Sequence, residues 1–344
     1  MSHRRLLSTV LLLTCLCVTT VARAQNTDSW VGKQLMVTSR VAELKAGEKT
    51  IGSVQLASVL TVNRVQGSWL WIKSNGGWIN RDDVVLLDQA VDYFTQGVQR
   101  NRTSDAYHQR AVMWVSMKKY DQAVADFDDA IQRDTQNVAL YNARGNALRI
   151  TGKLDRALSD FNEVIRRNVR HPAVYTNRGL VWFDKGEYDQ ALDDYTQALR
   201  LDSKFAPAWE AGGTARQAQG NYFKAVQNFS KAVEADPNFH LARNNLAWVL
   251  ATCPDRSVRD GKKALDHATK SCELTGYQDA GSLDTLAAAH AEARQFDDAV
   301  QRAKEAILLA GEKEKAAMSE RLKLYESRKP YRDRKRNRVA PPSP

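Results

Sequence analysis

The sequence is poor in the residues that usually build catalytic and metal sites. It has four cysteines and six histidines among 344 residues. It contains no C-x-x-C, H-E-x-x-H or G-x-S-x-G motif and no phosphate-binding glycine loop. The histidines are scattered without metal-ligand spacing, at His3, His108, His171, His240, His267 and His290. We therefore predict no catalytic residue, no metal site and no cofactor. A hydrolase with an unrecognised site is the weakest hypothesis for function.

The formal net charge of +10 belongs to the two ends of the chain. Residues 1–24 contain three arginines and no acid, and the tail from Arg328 contains seven basic residues and one aspartate. The rest of the chain holds 40 basic and 39 acidic residues. The body is therefore almost neutral. The basic tail is expected to be solvated, and binding of an anion by its lysines, arginines and Tyr331 is the less favoured alternative.

The first 24 residues have the composition of an export signal. "MSHRRLL" is positively charged, "LLSTVLLLTCLCVTTV" is apolar, and "ARA" supplies the small residues that signal peptidase requires. We predict cleavage after Ala24 and a periplasmic or extracellular protein, for which a nucleic-acid partner is not expected. The alternative is an uncleaved membrane anchor, although the apolar run is short for a bilayer.

Residues 104–239 repeat at an interval of 34 residues, marked by Tyr107, Tyr141, Tyr175 and Trp209. Within one unit, Tyr141, Gly145 and Leu148 share one face of a helix. A second helix is indicated by the similar spacing of Leu154, Ala157, Phe161 and Val164. A fixed period of this length indicates a solenoid of stacked helix pairs.

The units resemble tetratricopeptide repeats. With Tyr141 as position 4, a small residue at position 8, alanine at 20 and an aromatic at 24 recur in four regular units, which are 104–137, 138–171, 172–205 and 206–239. Two irregular units follow at 240–279 and 280–316, the first with an insertion of about five residues at "CPDRSVRDG". The resemblance implies an α-solenoid of about six units over 104–316. We expect a capping helix at 88–101, and over 317–344 the end of a second capping helix followed by a disordered basic tail.

The two cysteines outside the leader, Cys253 and Cys272, are expected to stay unpaired. Disulfides persist in an exported protein. The repeat pattern, however, places Cys253 at the loop end of one helix and Cys272 well inside its antiparallel partner. Their Cα atoms should then lie beyond the roughly 7 Å that a disulfide tolerates.

Residues 29–87 alternate between apolar and polar residues instead of following the helical period. Strand-like stretches include "QLMVT", "SVLTVNRV" and "SWLWIKSNGGWI", in which Asn75-Gly76 predicts a hairpin. We expect five or six short strands in a small all-β barrel, which resembles bacterial SH3-like domains through "GSWLWIK" and "GGWI". If Leu70 and Ile72 face the core, Trp69 and Trp71 lie outside it, as a packing surface or as a ligand site.

Positions 7 and 23 carry opposite charges in the first three regular units, as Arg110 with Asp126, Arg144 with Asp160 and Arg178 with Asp194. The fourth unit lacks both charges and has Gly212 and Asn228 there. We interpret the three pairs as structural ion pairs between the two helices of a repeat. The alternative is a ladder that binds a cation or an acid.

Candidate partner-binding residues lie on the groove side of the first helices, and they are Asn142, Asn146, Asn177, His108, Arg149 and Phe183. The resemblance implies a role for Asn146 and Asn177, whose positions hold a peptide backbone in tetratricopeptide proteins that grip a C-terminal carboxylate. The basic residues of that carboxylate clamp are replaced here by Asn142, Pro207 and Ala211. We therefore expect no clamp. The alternative is that the asparagines only face water.

These features predict an exported, non-enzymatic scaffold. It would bind other proteins or peptides in the concave groove of a tetratricopeptide superhelix. In the alternative, the SH3-like domain binds cell-wall material or a peptide, and the repeats are a spacer.

Overall fold

The structure is a computed structural model that describes residues 30–168 and 170–333. The predicted leader at 1–24 and the tail from residue 334 lie outside these residues. The chain divides into two compact units, residues 1–151 and 152–344. Across the described ranges, no helix combines the length and the hydropathy needed to cross a bilayer.

The first unit begins with eight strands in the described part of the chain. They are β1 Gln34–Val37, β2 Val41–Ala46, β3 Lys49–Gln55, β4 Val59–Thr61, β5 Arg64–Gln66, β6 Trp69–Ile72, β7 Gly77–Asn80 and β8 Val84–Leu86. One sheet has the order β4-β1-β8 and the other β3-β2-β7-β6-β5, with antiparallel pairing. The alternation in the sequence predicts the buried face correctly, because Leu35, Leu70, Ile72 and Ile79 are fully buried between the sheets.

The β region differs from the expected barrel in strand number and in closure. It has eight strands instead of five or six, and the two described sheets do not close into one barrel. Strands β4, β5 and β8 have three residues each, which is too short for alternation to define them. The predicted hairpin is present, because β6 pairs with β7 across Gly76, whose φ is +62°.

Four helices complete the first unit, α1 Ala90–Arg100, α2 Ser104–Ser116, α3 Tyr120–Arg133 and α4 Val138–Ile150. The β region, α1 and α2 share an apolar core of Met36, Ala57, Ala90, Phe94 and Met113. This core joins the β region to α1 and α2 within the first unit. The boundary predicted at residues 87 and 88 separates elements that pack together.

Ten helices form the described part of the second unit. They are α5 Leu154–Arg166, α6 Pro172–Asp184, α7 Tyr188–Leu201, α8 Ala206–Ala218, α9 Tyr222–Ala235, α10 His240–Thr252, α11 Gly261–Leu274, α12 Ala280–Glu292, α13 Phe296–Leu309 and α14 Glu312–Glu326. The first helix of each helix pair packs on the first helix of the next pair, which joins α6 to α8, α8 to α10 and α10 to α12. Cys253 and Cys272 are buried free thiols, as the repeat pattern predicts.

Residues 328–333 follow α14 and contact the helices before it. Residues 328–333 were expected to begin a disordered tail. Instead, the backbone N–H of Asp333 donates to the carbonyl of Thr252 at 2.8 Å, and Tyr331 packs against the core around α10. The composition of this segment does not predict these contacts, because their partner is a helix about 80 residues earlier in the chain.

The two helices of a repeat cross where a glycine faces an aromatic ring. A Cβ atom on Gly179 would lie 2.5 Å from Cε1 of Tyr195 and 3.2 Å from the carbonyl oxygen of Ala191. A Cβ atom on Gly213 would lie 2.5 Å from the ring of Phe229. Both rings are almost fully buried. The small residue at position 8 is therefore required by the aromatic at position 24.

Gly179→Ala should lower the free energy of unfolding by about 1–3 kcal/mol, because the added methyl group forces Tyr195 to move. Gly97→Ala is the matched control, because none of the described atoms outside its own helix turn lies within 4 Å of a Cβ there. Alanine should make that helix more stable by up to about 1 kcal/mol. Urea unfolding followed by far-UV circular dichroism measures both changes. Equal effects of the two substitutions would show that the crossing tolerates a methyl group.

Candidate functional site

The charged residues at positions 7 and 23 form bidentate ion pairs in the first and third regular repeats. Nε and Nη2 of Arg110 donate to Asp126 at 2.7 and 2.6 Å, and the same atoms of Arg178 donate to Asp194 at 2.9 and 2.6 Å. Both carboxylate side chains are only 5% exposed. These hydrogen bonds raise the pKa of both arginines, because they favour the charged guanidinium.

In the third predicted pair, Arg144 belongs to the first compact unit and Asp160 to the second. Asp160 is buried in the second unit. In the first unit, Nη1 of Arg144 donates to Asp128 at 2.6 Å.

A cation-binding ladder is not supported by this arrangement. Asp126 and Asp194 already accept two hydrogen bonds each from arginine. Within the described residues, no group of three or more His, Cys, Asp or Glu side chains has the geometry to hold a metal ion. The ion pairs therefore join the two helices of a repeat, as a charge-assisted contact between them.

The two uncharged residues of the fourth repeat lie next to each other. A Cβ atom on Gly212 would lie 2.7 Å from Nδ2 of Asn228. The amide of Asn228 thus occupies the space beside Gly212, and a larger residue at position 212 would require this side chain to move. The two replacements belong together.

In the first unit, the predicted groove residues lie on α2 and α4. Asn142, Asn146 and Arg149 are spaced to share one face of α4, and all three are partly buried. His108 on α2 packs with its ring centroid 6.1 Å from that of Phe127. Burial lowers the pKa of His108, and Asp105 opposes this shift. His108 therefore contributes to packing as well as to the surface.

In the second unit, Asn177 and Phe183 lie on α6 and are partly buried. The ring of Phe183 lies 5.4 Å from that of Tyr188, measured between centroids. Phe183 is therefore supported by the following helix, α7, and it presents only part of its ring to the surface.

The sequence analysis missed a polar cluster on the next first helices. Oγ1 of Thr214 and Nδ2 of Asn245 donate to Oε1 of Glu210 at 2.9 and 2.7 Å, which joins α8 to α10. Burial raises the pKa of Glu210, and both hydrogen bonds oppose the rise. Glu210, Asn245 and Trp248 stand at positions 5, 6 and 9, the same positions as Asn142, Asn177 and Asn146. Applying those positions to the later repeats would have identified them.

The outer face of the five-stranded sheet carries three tryptophans. Trp69 and Trp71 are partly buried while Leu70 and Ile72 are fully buried, as the alternation predicts. Trp78 on β7 lies opposite Trp71, with 5.3 Å between ring centroids. Nζ of Lys45 lies 5.5 Å from the Trp69 ring. Trp78 was missed in the sequence analysis, although the hairpin at Asn75-Gly76 sets this register.

Stacked helix pairs with a glycine-to-aromatic crossing define a helical repeat protein of the tetratricopeptide type. Models of the tetratricopeptide repeat match residues 115–163 and 172–205. The chain therefore contains tetratricopeptide repeats, and the predicted fold class of a helical solenoid preceded by a small β region is confirmed. Neither match includes residues 30–87, so the SH3-like identity of that region stays a prediction.

Solved structures of two proteins share this fold. A chain of the APC/C hetero-tetramer Cut9–Hcn1 has a TM-score of 0.57 and 14% identity, and the match covers 69% of this chain and 46% of that one. PilF of Pseudomonas aeruginosa has a TM-score of 0.51 and 17% identity, with 63% of this chain and 96% of that one covered. At these identities the likeness concerns the fold alone. No curated protein sequence matches the chain.

Asp194→Ala should lower the free energy of unfolding by about 2–4 kcal/mol, because it leaves the charge of Arg178 without its carboxylate in a poorly hydrated place. Asp193→Ala is the control, since Asp193 is the exposed neighbour on the same helix, and it should change stability by less than about 0.5 kcal/mol. Urea unfolding of the full chain compares the two variants. A loss below 1 kcal/mol for Asp194→Ala would contradict a structural role for the pair.

Proposed function

We propose that the chain is an exported, non-enzymatic scaffold that binds a segment of another protein along the first helices of its repeats. Tetratricopeptide proteins are generally protein-interaction scaffolds. The observation that carries the proposal is the chemistry of positions 5, 6 and 9 in the second unit. Glu210, Asn245 and Trp248 there combine a carboxylate, an amide and a large aromatic ring on adjoining first helices.

These side chains suit a peptide backbone. An amide both donates and accepts hydrogen bonds, and Asn177 presents a second amide on α6. Of the groove residues predicted from the sequence, Asn177 and Phe183 lie on a first helix of this unit, and the other four lie on the first helices of the first unit. The aromatic rings of Phe183 and Trp248 would supply the apolar contact that most binding surfaces need.

The charge at position 5 selects the class of segment. Tetratricopeptide proteins that grip a carboxylate need a basic residue there, whereas this chain has Asn142 in the second repeat and Glu210 in the fourth. The carboxylate of Glu210 would repel an acidic segment of a partner. We therefore expect a partner segment that presents amide, hydroxyl or basic donors.

Photo-crosslinking in the native cell tests the proposal. Benzoylphenylalanine is placed at position 183, on the first-helix surface, in the full chain. The matched control is position 223, because Phe223 is 65% exposed on the second helix α9 of the same unit. The probe at 183 should capture a distinct protein that the probe at 223 does not. Equal capture at the two positions, or none at 183, would contradict binding along the first helices.

Once that protein is known, Asn177→Ala and Asn245→Ala should each weaken its binding about 5- to 30-fold, as expected for side chains near the centre of an interface. Isothermal titration with the purified full chain measures the change. Asp193→Ala serves as the control, because it lies on a second helix and is exposed.

A second candidate function rests on the tryptophans of the β region. Trp69, Trp71 and Trp78 form an aromatic face next to Lys45. Exposed aromatic surfaces of this kind often bind ligands. In this alternative the face would bind cell-wall glycan or peptide, and the repeats would act as a spacer.

Cosedimentation with isolated cell wall tests the second candidate. The variant Trp71→Ala/Trp78→Ala should lose at least about tenfold in wall binding if these rings stack on the ligand. Tyr93→Ala is the control, because Tyr93 is an exposed aromatic residue on α1. The full chain is used for all variants, since the β region shares its core with α1 and α2. Unchanged sedimentation of the tryptophan variant would exclude this function.

A further inference from the structure

The segment after the last helix lies on the first-helix surface of the fifth repeat. Residues 329–333, the C-terminal strap, follow the turn at the end of α14 without regular secondary structure. The ring of Tyr331 lies 5.8 Å from that of Trp248 on α10, between centroids. The backbone N–H of Asp333 donates to the carbonyl of Thr252 at 2.8 Å. The strap thus uses the surface that we propose for partners.

The strap binds backbone groups that the helix itself leaves available. Helix α10 ends at Thr252, and the last carbonyls of a helix have no partner within it. The carbonyl of Thr252 accepts from Asp333, and the carbonyl of Ala251 accepts from Nη1 of Arg332 at 3.3 Å. The contact from Asp333 is independent of side-chain identity, as in other complexes with extended peptides.

The ring of Tyr331 packs against a surface formed by Trp248 and Arg321. The guanidinium of Arg321 lies 5.4 Å from the Trp248 ring and 5.5 Å from the Tyr331 ring. Arg321 is held in place by two hydrogen bonds to Asp284, at 2.9 and 2.7 Å, and both side chains are nearly buried. Trp248 and Arg321 therefore form a rigid aromatic and cationic surface, on which an aromatic ring packs well.

The carboxylate of Glu292 lies beside this surface and pairs with Arg332, the basic residue that follows Tyr331. Oε2 of Glu292 lies 2.5 Å from Nη2 of Arg332, and Oε1 lies 3.1 Å from Nε of Arg259. The Glu292 side chain is only 15% exposed. Arg259 comes from the insertion that makes the fifth repeat irregular, and its Nη1 also donates to the carbonyl of Cys253 at 2.7 Å. The insertion thus fixes the position of the carboxylate.

The strap is less buried than the capping helix that precedes it. Helix α14 already covers the core with Met318 and Tyr325, which are 4% and 0% exposed. Tyr331, Arg332 and Asp333 are only partly buried. The strap therefore lies less deeply than the cap, and its contacts with α10 are of the kind that a bound peptide makes.

We infer that Trp248, Arg321, Glu292 and the carbonyl of Thr252, together the end pocket, form a binding site for an extended aromatic–basic segment of a partner protein. The strap occupies this site within the chain, and a partner must displace it. The inference rests on the proposed function, because it names the segment chemistry and the regulation of the same first-helix surface. A tethered ligand has an effective concentration on the order of millimolar, so it competes strongly with a free ligand.

A peptide titration of the full chain tests the inference. The probe is a fluorescein-labelled peptide with the sequence of residues 327–333, SRKPYRD. Tyr331→Ala/Arg332→Ala empties the pocket. This variant should bind the peptide at least about tenfold more tightly than the unmodified chain in fluorescence anisotropy, because its own strap no longer competes. A peptide with alanine in place of its tyrosine and second arginine should not bind.

A third substitution locates the binding. Glu292→Gln, added to the emptied variant, should weaken peptide binding about tenfold, because it removes the carboxylate that faces the basic residue. Glu273→Gln is the matched control, since Glu273 is an exposed acid on α11 that pairs with Lys270. Binding should be unchanged by this control substitution.

Two results would overturn the inference. One is equal affinity, or no affinity, of the emptied and unmodified chains for the peptide. The other is cooperative unfolding of the array in Tyr331→Ala/Arg332→Ala, seen as a large fall in melting temperature, since the strap would then be a structural cap. The crosslinking probe at Phe183 lies on α6, away from the pocket. Its result therefore tests the scaffold function separately from the end pocket.

Discussion

The close approach of the two helices in each repeat is the constraint on which the helical part of the structure depends. Gly179 and Gly213 have no side chain where the rings of Tyr195 and Phe229 cross them, and Ala191 and Ala225 are fully buried on the opposite helices. Such a crossing fixes the geometry of a pair but leaves apolar surface on both sides, which only the next pair can cover. The array must therefore continue until something else closes it. Helix α14 does so at the end of the second unit with Met318 and Tyr325. In the first unit, α1 packs with α2 and the β region.

Residues that recur among the repeats are used for this packing, and under the proposed function the positions that vary are available for recognition. Arg178 and Asp194 recur because their hydrogen bonds join the helices of one repeat. At positions 5, 6 and 9 the chemistry changes from one repeat to the next, with Glu210, Asn245 and Trp248 in the fourth and fifth repeats. A surface of this kind distinguishes partners by side chains that the packing does not constrain. The proposed scaffold function follows from that division.

The irregular features at the end of the array act together. The insertion places Arg259 beside Glu292, and α14 brings Arg321 between Trp248 and Tyr331. The strap then contacts Trp248 through Tyr331, Glu292 through Arg332 and the carbonyl of Thr252 through Asp333. If the end pocket is a recognition site, its occupation by the chain itself raises the affinity that a partner needs. The departures from the repeat would then be the part of the array that carries specificity and regulation.

By itself, the sequence determined the helix pairs, their glycine and aromatic crossings, the buried face of β6 and the free thiols Cys253 and Cys272. These features follow from periodicity and from contacts within one or two repeats, where spacing along the chain limits the geometry. Tertiary structure alone decided the arrangement of the strands in two sheets, the core that joins Met36 to Phe94, and the position of the strap against α10. Such contacts join distant segments, as with Ala251 and Arg332, which are 81 residues apart. No local pattern encodes them, because their free energy exists only once the surfaces on both sides have formed.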